Sequence, residues 1–158
     1  MSSIGGLRYF LNRSYRFARA RYHASILKSD EAPPPLTLHV EPTNHCNLKC
    51  RMCFQTTMAR KKGRMPFELY KRIIDQAAGW TRHLQLANFG EPLLHPQLPK
   101  MIAYGAQHGF FVEVFTNGAL LDKEIAREIV GAQAGKVNVS IDALDPEVYR
   151  EIRGIELE

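Results

Sequence analysis

The chain has 158 residues, 45% of them hydrophobic, which is enough to bury a core and suggests one domain or part of one. Its net charge of +5 invites a nucleic-acid reading, but Arg8, Arg13, Arg16, Arg19, Arg21 and Lys28 all precede the first acid, Asp30, and from there on 15 basic residues face 16 acidic ones. The positive charge belongs to an N-terminal arm and leaves no phosphate-binding stripe on the body, so no nucleic-acid partner is expected.

In the arm, residues 1–32, Leu7, Leu11, Tyr15, Ala18, Tyr22 and Ile26 recur at helical spacing and predict an amphipathic helix with arginines on its other face. Its apolar face calls for a partner: the body, a further domain, or peripheral contact with an anionic membrane surface. The Arg-rich, acid-free composition also fits a transit peptide, whereas the lack of a continuous apolar segment argues against secretion, and no apolar run is long enough to span a bilayer. Pro33-Pro34-Pro35 stops the helix and divides the arm from a body over residues 33–158.

The body opens with Leu36 to Glu41, an alternating strand that runs through Pro42-Thr43-Asn44-His45 into a cysteine loop. Phe67, Tyr70, Ile73, Ile74 and Ala77 predict a helix opened by Pro66 and closed near Gly79. His83 to Asn88 reads as a second strand broken by Gly90-Glu91-Pro92. A helix from about Pro99 to His108 is capped by Gly109, and a third strand, Phe110 to Phe115, ends at Thr116-Asn117-Gly118. Asp122 has the character of an N-cap for a helix reaching Val130; Lys136 to Ile141 forms a fourth strand ending at Asp142, and a short helix follows Pro146. Four strand–helix alternations argue for an α/β fold of parallel βαβ units with right-handed crossovers. Each strand then delivers a polar or Gly-containing segment at its C-terminal end, the edge where barrel-type α/β enzymes build active sites.

All three cysteines, Cys46, Cys50 and Cys53, form a CxxxCxxC loop beyond the first strand. Their odd number and tight spacing suit a metal site better than a disulfide framework and point to a reducing, cytoplasmic setting. Soft thiolates select zinc, copper(I) or iron–sulfur clusters, and clusters normally use four cysteines. A four-iron cluster held by these three would keep one iron open to a small molecule. The alternatives are a zinc site completed by His45 or His39, although no second ligand pair has the spacing structural zinc sites use, and free thiols without metal.

CxxxCxxC after a short strand, followed by Gly90-Glu91-Pro92, Thr116-Asn117-Gly118 and Ser140-Ile141-Asp142, resembles the radical S-adenosylmethionine (SAM) superfamily over roughly Leu36 to Gly154. Within it the chain is most similar to the branch of molybdenum-cofactor synthase and the peptide- and sulfatase-maturing enzymes. The resemblance implies a partial (βα) barrel of which four units are present, with the last strands of the usual six missing. It implies a [4Fe–4S] cluster on Cys46, Cys50 and Cys53 whose open iron is chelated by SAM, and a 5′-deoxyadenosyl radical that takes a hydrogen atom from a peptide, small-molecule or cofactor-precursor substrate. Reducing partners would be flavodoxin or ferredoxin.

By the same resemblance, Glu91 would accept from the SAM ammonium and Gly90 would let the backbone approach the ligand. Thr116 and Asn117 would border the cavity, and Ser140 and Asp142 would meet the ribose or methionyl part of SAM. Met52 stands where the family often has an aromatic residue near the adenine, and Phe89 replaces the first Gly of its GGEP segment. Alternation along Val137, Asn138, Val139 and Ser140 would turn Ser140 inward with Asn138. Asp142 has a second reading as a loop or capping residue. Arg60-Lys61-Lys62-Gly63-Arg64 reads as a solvated loop or as an attractor of acidic partners. No catalytic role falls to His95. A truncated, noncatalytic metal- or partner-binding fragment is the alternative to an enzyme.

Overall fold

The computed structural model describes residues 35–156, together with Ser14, Tyr15, Ala18 and Arg21. Those four are helical; the rest of the arm, including most of its apolar stripe, lies outside the described residues.

Four strands form one all-parallel sheet in the order β1-β2-β3-β4: β1 is Leu38–Val40, β2 His83–Leu86, β3 Phe111–Thr116 and β4 Lys136–Val139. The helices α1 (Phe67–Ala77), α2 (Leu98–Gln107), α3 (Lys123–Gly131) and α4 (Pro146–Arg153) follow β1 to β4 in turn, the expected βα alternation. Strands β1, β2 and β4 are shorter than the sequence suggested, because the polar segments at their ends turn away to build the rim. The backbone ladder nevertheless continues beyond the strands, through Ala87 N–H to Val40 O and Ser140 N–H to Thr116 O.

Sequence dictates the helix boundaries through their caps. Asp122 accepts from the Glu124 and Ile125 N–H groups and starts α3, and Asp145 does the same for α4 through Glu147 and Val148. Each such cap contributes about 1 kcal/mol. Helix α4 ends at Gly154 in the left-handed region, φ 78°.

Register makes the two sheet faces chemically different. Leu38, Leu84 and Val112 align in one row, and Val40, Leu86, Val114 and Val137 in another. Both rows pack against Tyr70 and Ile74 of α1, Leu98, Met101 and Ile102 of α2 and Ile129 of α3 to make the core. Complete burial of each large apolar side chain contributes about 1.5–3 kcal/mol. The Tyr70 hydroxyl donates to the Met101 carbonyl at 2.7 Å, and burial pushes its pKa well above the ordinary range.

The intervening register positions carry His39, Gln85, Glu113 and Lys136 on the opposite face. There Gln85 Nε2 donates to Glu113 Oε2 at 2.9 Å, and His83 Nε2 lies 3.3 Å from the same oxygen. A parallel sheet packed on both sides by helices would be apolar on both faces. This polar row suits the inner face of a barrel. No helix among the described residues is long and apolar enough to cross a membrane.

Candidate metal centre

The cysteine loop is held at the C-terminal end of the sheet by the segment that leads into it. Thr43 and Asn44 are buried and clamp the chain returning from the loop. Thr43 Oγ1 donates to the Gly63 carbonyl at 2.8 Å, Asn44 Oδ1 accepts from the Gly63 N–H at 2.6 Å, and Asn44 Nδ2 donates to the Lys61 carbonyl at 2.9 Å. Leu48 anchors the loop's middle in the interior, and buried Gln55 donates to the Asn44 carbonyl.

The basic run over residues 60–64 is exposed, as a solvated loop would be, while several of its side chains reach neighbouring segments. Arg60 pairs with Glu41, Lys62 donates to the carbonyls of Asn44 and Gln55, and Arg64 Nε donates to the Leu94 carbonyl.

Each thiol sulfur is met by N–H donors. Cys46 Sγ accepts from the Leu48 N–H at 3.4 Å and lies 3.8 Å from Asn117 Nδ2; Cys53 Sγ accepts from the Gln55 N–H at 3.4 Å. Cys50 is the buried one of the three, and its sulfur accepts from Arg153 Nη1 at 3.6 Å. Burial pushes the Cys46 thiol pKa up, Leu48 N–H opposes the rise, and Glu91 with the two neighbouring cysteines adds to it. Among the described residues, no three His, Cys, Asp or Glu side chains are grouped to hold a single metal ion. N–H donors that converge on the sulfurs of three thiols in one loop suit thiolates that ligate metal.

Gly90 and Glu91 join this loop to the rest of the rim. A Cβ at position 90 would collide with the Thr43 carbonyl and Asn44 Cα, so the glycine permits two protein backbones to touch. Just upstream, Asn88 adopts φ 122°, a conformation rarely used by side-chain-bearing residues, and the Phe89 N–H donates to Glu41 Oε1.

Glu91 is only 2% exposed. Its N–H donates to the His45 carbonyl at 2.8 Å; its Oε1 accepts from Thr116 Oγ1 at 2.7 Å and from the Leu93 N–H at 3.0 Å, and its Oε2 accepts from the Asn117 N–H at 2.7 Å. The carboxylate thus ties the rims of β2 and β3 together, and the Glu91 N–H ties them to the segment that follows β1. Asn117 completes the tie by donating to Asn47 Oδ1 at 2.9 Å.

The rim of β4 is different. Ser140 lies one residue past the strand and is exposed, with its N–H still in the ladder to the Thr116 carbonyl. Its carbonyl accepts from Arg153 Nη2 at 2.9 Å. Asp142 caps no helix, since Asp145 takes that position; its Oδ2 lies 2.6 Å from Arg153 Nε. Met52 and Phe54 stand 56% and 71% exposed on the cysteine loop itself. His95 is buried as a strut, with Nε2 at 3.0 Å from the Met65 carbonyl and Nδ1 accepting from the Gln97 N–H; burial lowers its pKa.

Sequence reasoning missed Thr43, Asn44, Asn47, Gln55 and above all Arg153. A signal for Arg153 exists: it stands four residues after Tyr149, on the buried side of α4, where an arginine is out of place unless it has partners.

Comparison with known proteins gives these features a family. The model described as Radical SAM superfamily matches residues 40–158. A tungsten-containing aldehyde ferredoxin oxidoreductase cofactor-modifying protein of Pyrococcus furiosus is 32% identical over 109 residues, 68% of this chain and 31% of that protein. PqqA peptide cyclase of Granulibacter bethesdensis is 28% identical over 123 residues, 77% of this chain and 33% of that one. The chain therefore spans about a third of the length of these curated relatives. Among solved structures, Streptococcus suis SuiB bound to S-adenosylmethionine shares the fold with a TM-score of 0.71 at 23% identity, covering 88% of this chain and 33% of that one. With a family model matched across the whole βα body, the chain belongs to the radical SAM superfamily, whose enzymes use a [4Fe–4S] cluster and S-adenosylmethionine.

Proposed function

We propose that this chain carries the cluster- and SAM-binding part of a radical SAM enzyme, with Cys46, Cys50 and Cys53 holding three irons of a [4Fe–4S] cluster. The observation that carries the reading is the set of N–H donors on all three thiol sulfurs, on a loop buttressed by the rims of all four strands. Such donors stabilise sulfur that bears negative charge, the state in which cysteine ligates metal. When bound, the cluster and SAM supply a 5′-deoxyadenosyl radical for hydrogen abstraction.

The chain's own residues position and exclude. Glu91, accepting three hydrogen bonds, keeps part of its fourfold acceptor capacity and is the group suited to the SAM ammonium. Gly90 sets that carboxylate's height by seating its loop on Thr43. Thr116 and Asn117 border the same side of the cavity, and Asn117 reaches the Cys46 sulfur. Exposed Met52, on the cysteine loop, offers a thioether to the adenine ring. Ser140 and Asp142 belong to the β4 side of the cavity, Asp142 through its pairing with Arg153.

The substrate class we favour is a peptide. It is supported by relatives named for peptide substrates, PqqA peptide cyclase among them, and by the polar inner row Gln85–Glu113, which offers hydrogen-bonding groups rather than an apolar slot. An external one-electron donor such as flavodoxin or ferredoxin would supply the reducing equivalent.

The test is anaerobic reconstitution with iron and sulfide, followed by iron and sulfide counts and an assay for 5′-deoxyadenosine with SAM and a chemical reductant. About four irons and four sulfides per chain, with 5′-deoxyadenosine formed, support the proposal. Zinc in place of the cluster, or no cluster, overturns it.

A further inference from the structure

Among the described residues, Arg153 is the one arginine in the buried set, 8% exposed, and it reaches three elements at once. Nη1 meets Cys50 Sγ at 3.6 Å, Nη2 donates to the Ser140 carbonyl at 2.9 Å, and Nε lies 2.6 Å from Asp142 Oδ2. Next to it, the Arg51 N–H of the cysteine loop donates to the Ile152 carbonyl at 2.9 Å, so the last turn of α4 and the loop are docked by backbone as well. Packing alone does not explain the choice of residue. A guanidinium is permanently charged, and burying it costs heavily unless the site uses the charge. The Ser140 carbonyl could be met by a neutral donor; the contacts to Asp142 and to the Cys50 sulfur are the two whose character changes with charge.

We propose that Arg153 is a positioning residue for the cluster, its guanidinium donating to the Cys50 sulfur and, partly neutralised by Asp142, setting how readily the bound cluster accepts an electron. The inference rests on the proposed function above and goes beyond it in naming what tunes the site. Reduction adds negative charge to the cluster and its thiolates, and a donor cation on a ligand sulfur stabilises that added charge, which raises the reduction potential. Asp142 opposes the effect from the far side of the guanidinium. The device is therefore a charge pair whose two members act in opposite directions, and it also binds the β4 rim to the cysteine loop.

The opposite signs supply the test. The full chain and its R153Q, R153K and D142N variants are reconstituted anaerobically, and the cluster's midpoint potential is measured by an EPR-monitored redox titration without SAM, alongside iron content and thermal unfolding. R153Q should make reduction about tenfold less favourable, a shift of about 59 mV to more negative potential for one electron. R153K, which keeps the charge, should recover most of that shift, and D142N should move the potential the other way. A steric role does not produce shifts of opposite sign from the two halves of one ion pair.

R153Q with full iron content and the wild-type potential overturns the inference while leaving the proposed function standing. If R153Q fails to hold the cluster, D142N and R153K decide: D142N at the wild-type potential overturns it, and a positive shift in D142N with near-wild-type behaviour in R153K supports it. A wild-type chain that takes up no cluster removes the functional reading and this inference together.

Discussion

The two sides of the sheet's C-terminal edge are built on different principles. On the β2–β3 side a buried carboxylate, Glu91, collects three hydrogen bonds and joins Leu93, Thr116 and Asn117, with its own N–H on His45. On the β4 side the strand is partly open to solvent, Ser140 is exposed, and the connection to the cysteine loop runs through Arg153 and the backbone of Ile152. The first side is fixed by buried acceptors whose removal leaves donors unsatisfied. The second is fixed by a charge pair with one member, Asp142, a third exposed in its side chain. Rigidity is concentrated where SAM would be gripped, and charge where the cluster would be tuned.

The largest effect should follow from breaking the element both sides share. Cys50→Ala removes the buried thiol and should abolish cluster uptake, read as iron bound per chain falling to background after reconstitution; full occupancy in this variant would contradict the ligand assignment. Next is Gly90→Ala, which drives a methyl group into the Thr43 carbonyl on the rigid side. Overpacking of this kind costs about 3 kcal/mol, to be measured as a shift in the chemical-denaturation midpoint. An unchanged midpoint would show that the two loops separate at no cost, and the picture of a rigid β2–β3 rim would fail.

A matched pair of neutralisations then sharpens the contrast. Glu91→Gln replaces one acceptor oxygen by an amide that faces the N–H or hydroxyl donors it once satisfied, and should cost about 1–3 kcal/mol. Asp142→Asn alters a partly exposed ion pair and should cost about 1 kcal/mol or less. Equal losses would erase the distinction between the two sides.

The smallest effect concerns His95, the strut beneath the Glu91 loop. Its pKa is lowered by burial, so the native state favours the neutral ring while the unfolded chain binds a proton more readily. The resulting stability is present above the unfolded value of about 6.5 and is lost as pH falls through the folded value. His95→Gln should flatten that part of the stability–pH curve; the same slope in both proteins would remove His95 as its source.

Much of this architecture was legible in the chain. The apolar alternation of β1 to β3 and the Asp122 cap sit where local rules put them, because backbone period and capping chemistry are local properties. The C-terminal convergence of Cys46, Glu91 and Asn117 followed from the parallel order of the strands. The true partner of Gly90 was not legible, since only the folded chain brings Thr43 against it across 47 residues. Arg153 was missed for the same reason: an arginine in an amphipathic helix reads as surface until Cys50, 103 residues earlier, is seen beside it.

The central claim is an open iron at a three-cysteine cluster, and the measurement that meets it most directly is electron paramagnetic resonance of the reduced, reconstituted chain with and without SAM. The account predicts a four-iron signal that changes when SAM is added, because SAM binds the iron that no cysteine holds. A four-iron signal indifferent to saturating SAM, or a reduced protein with no cluster signal, would contradict it.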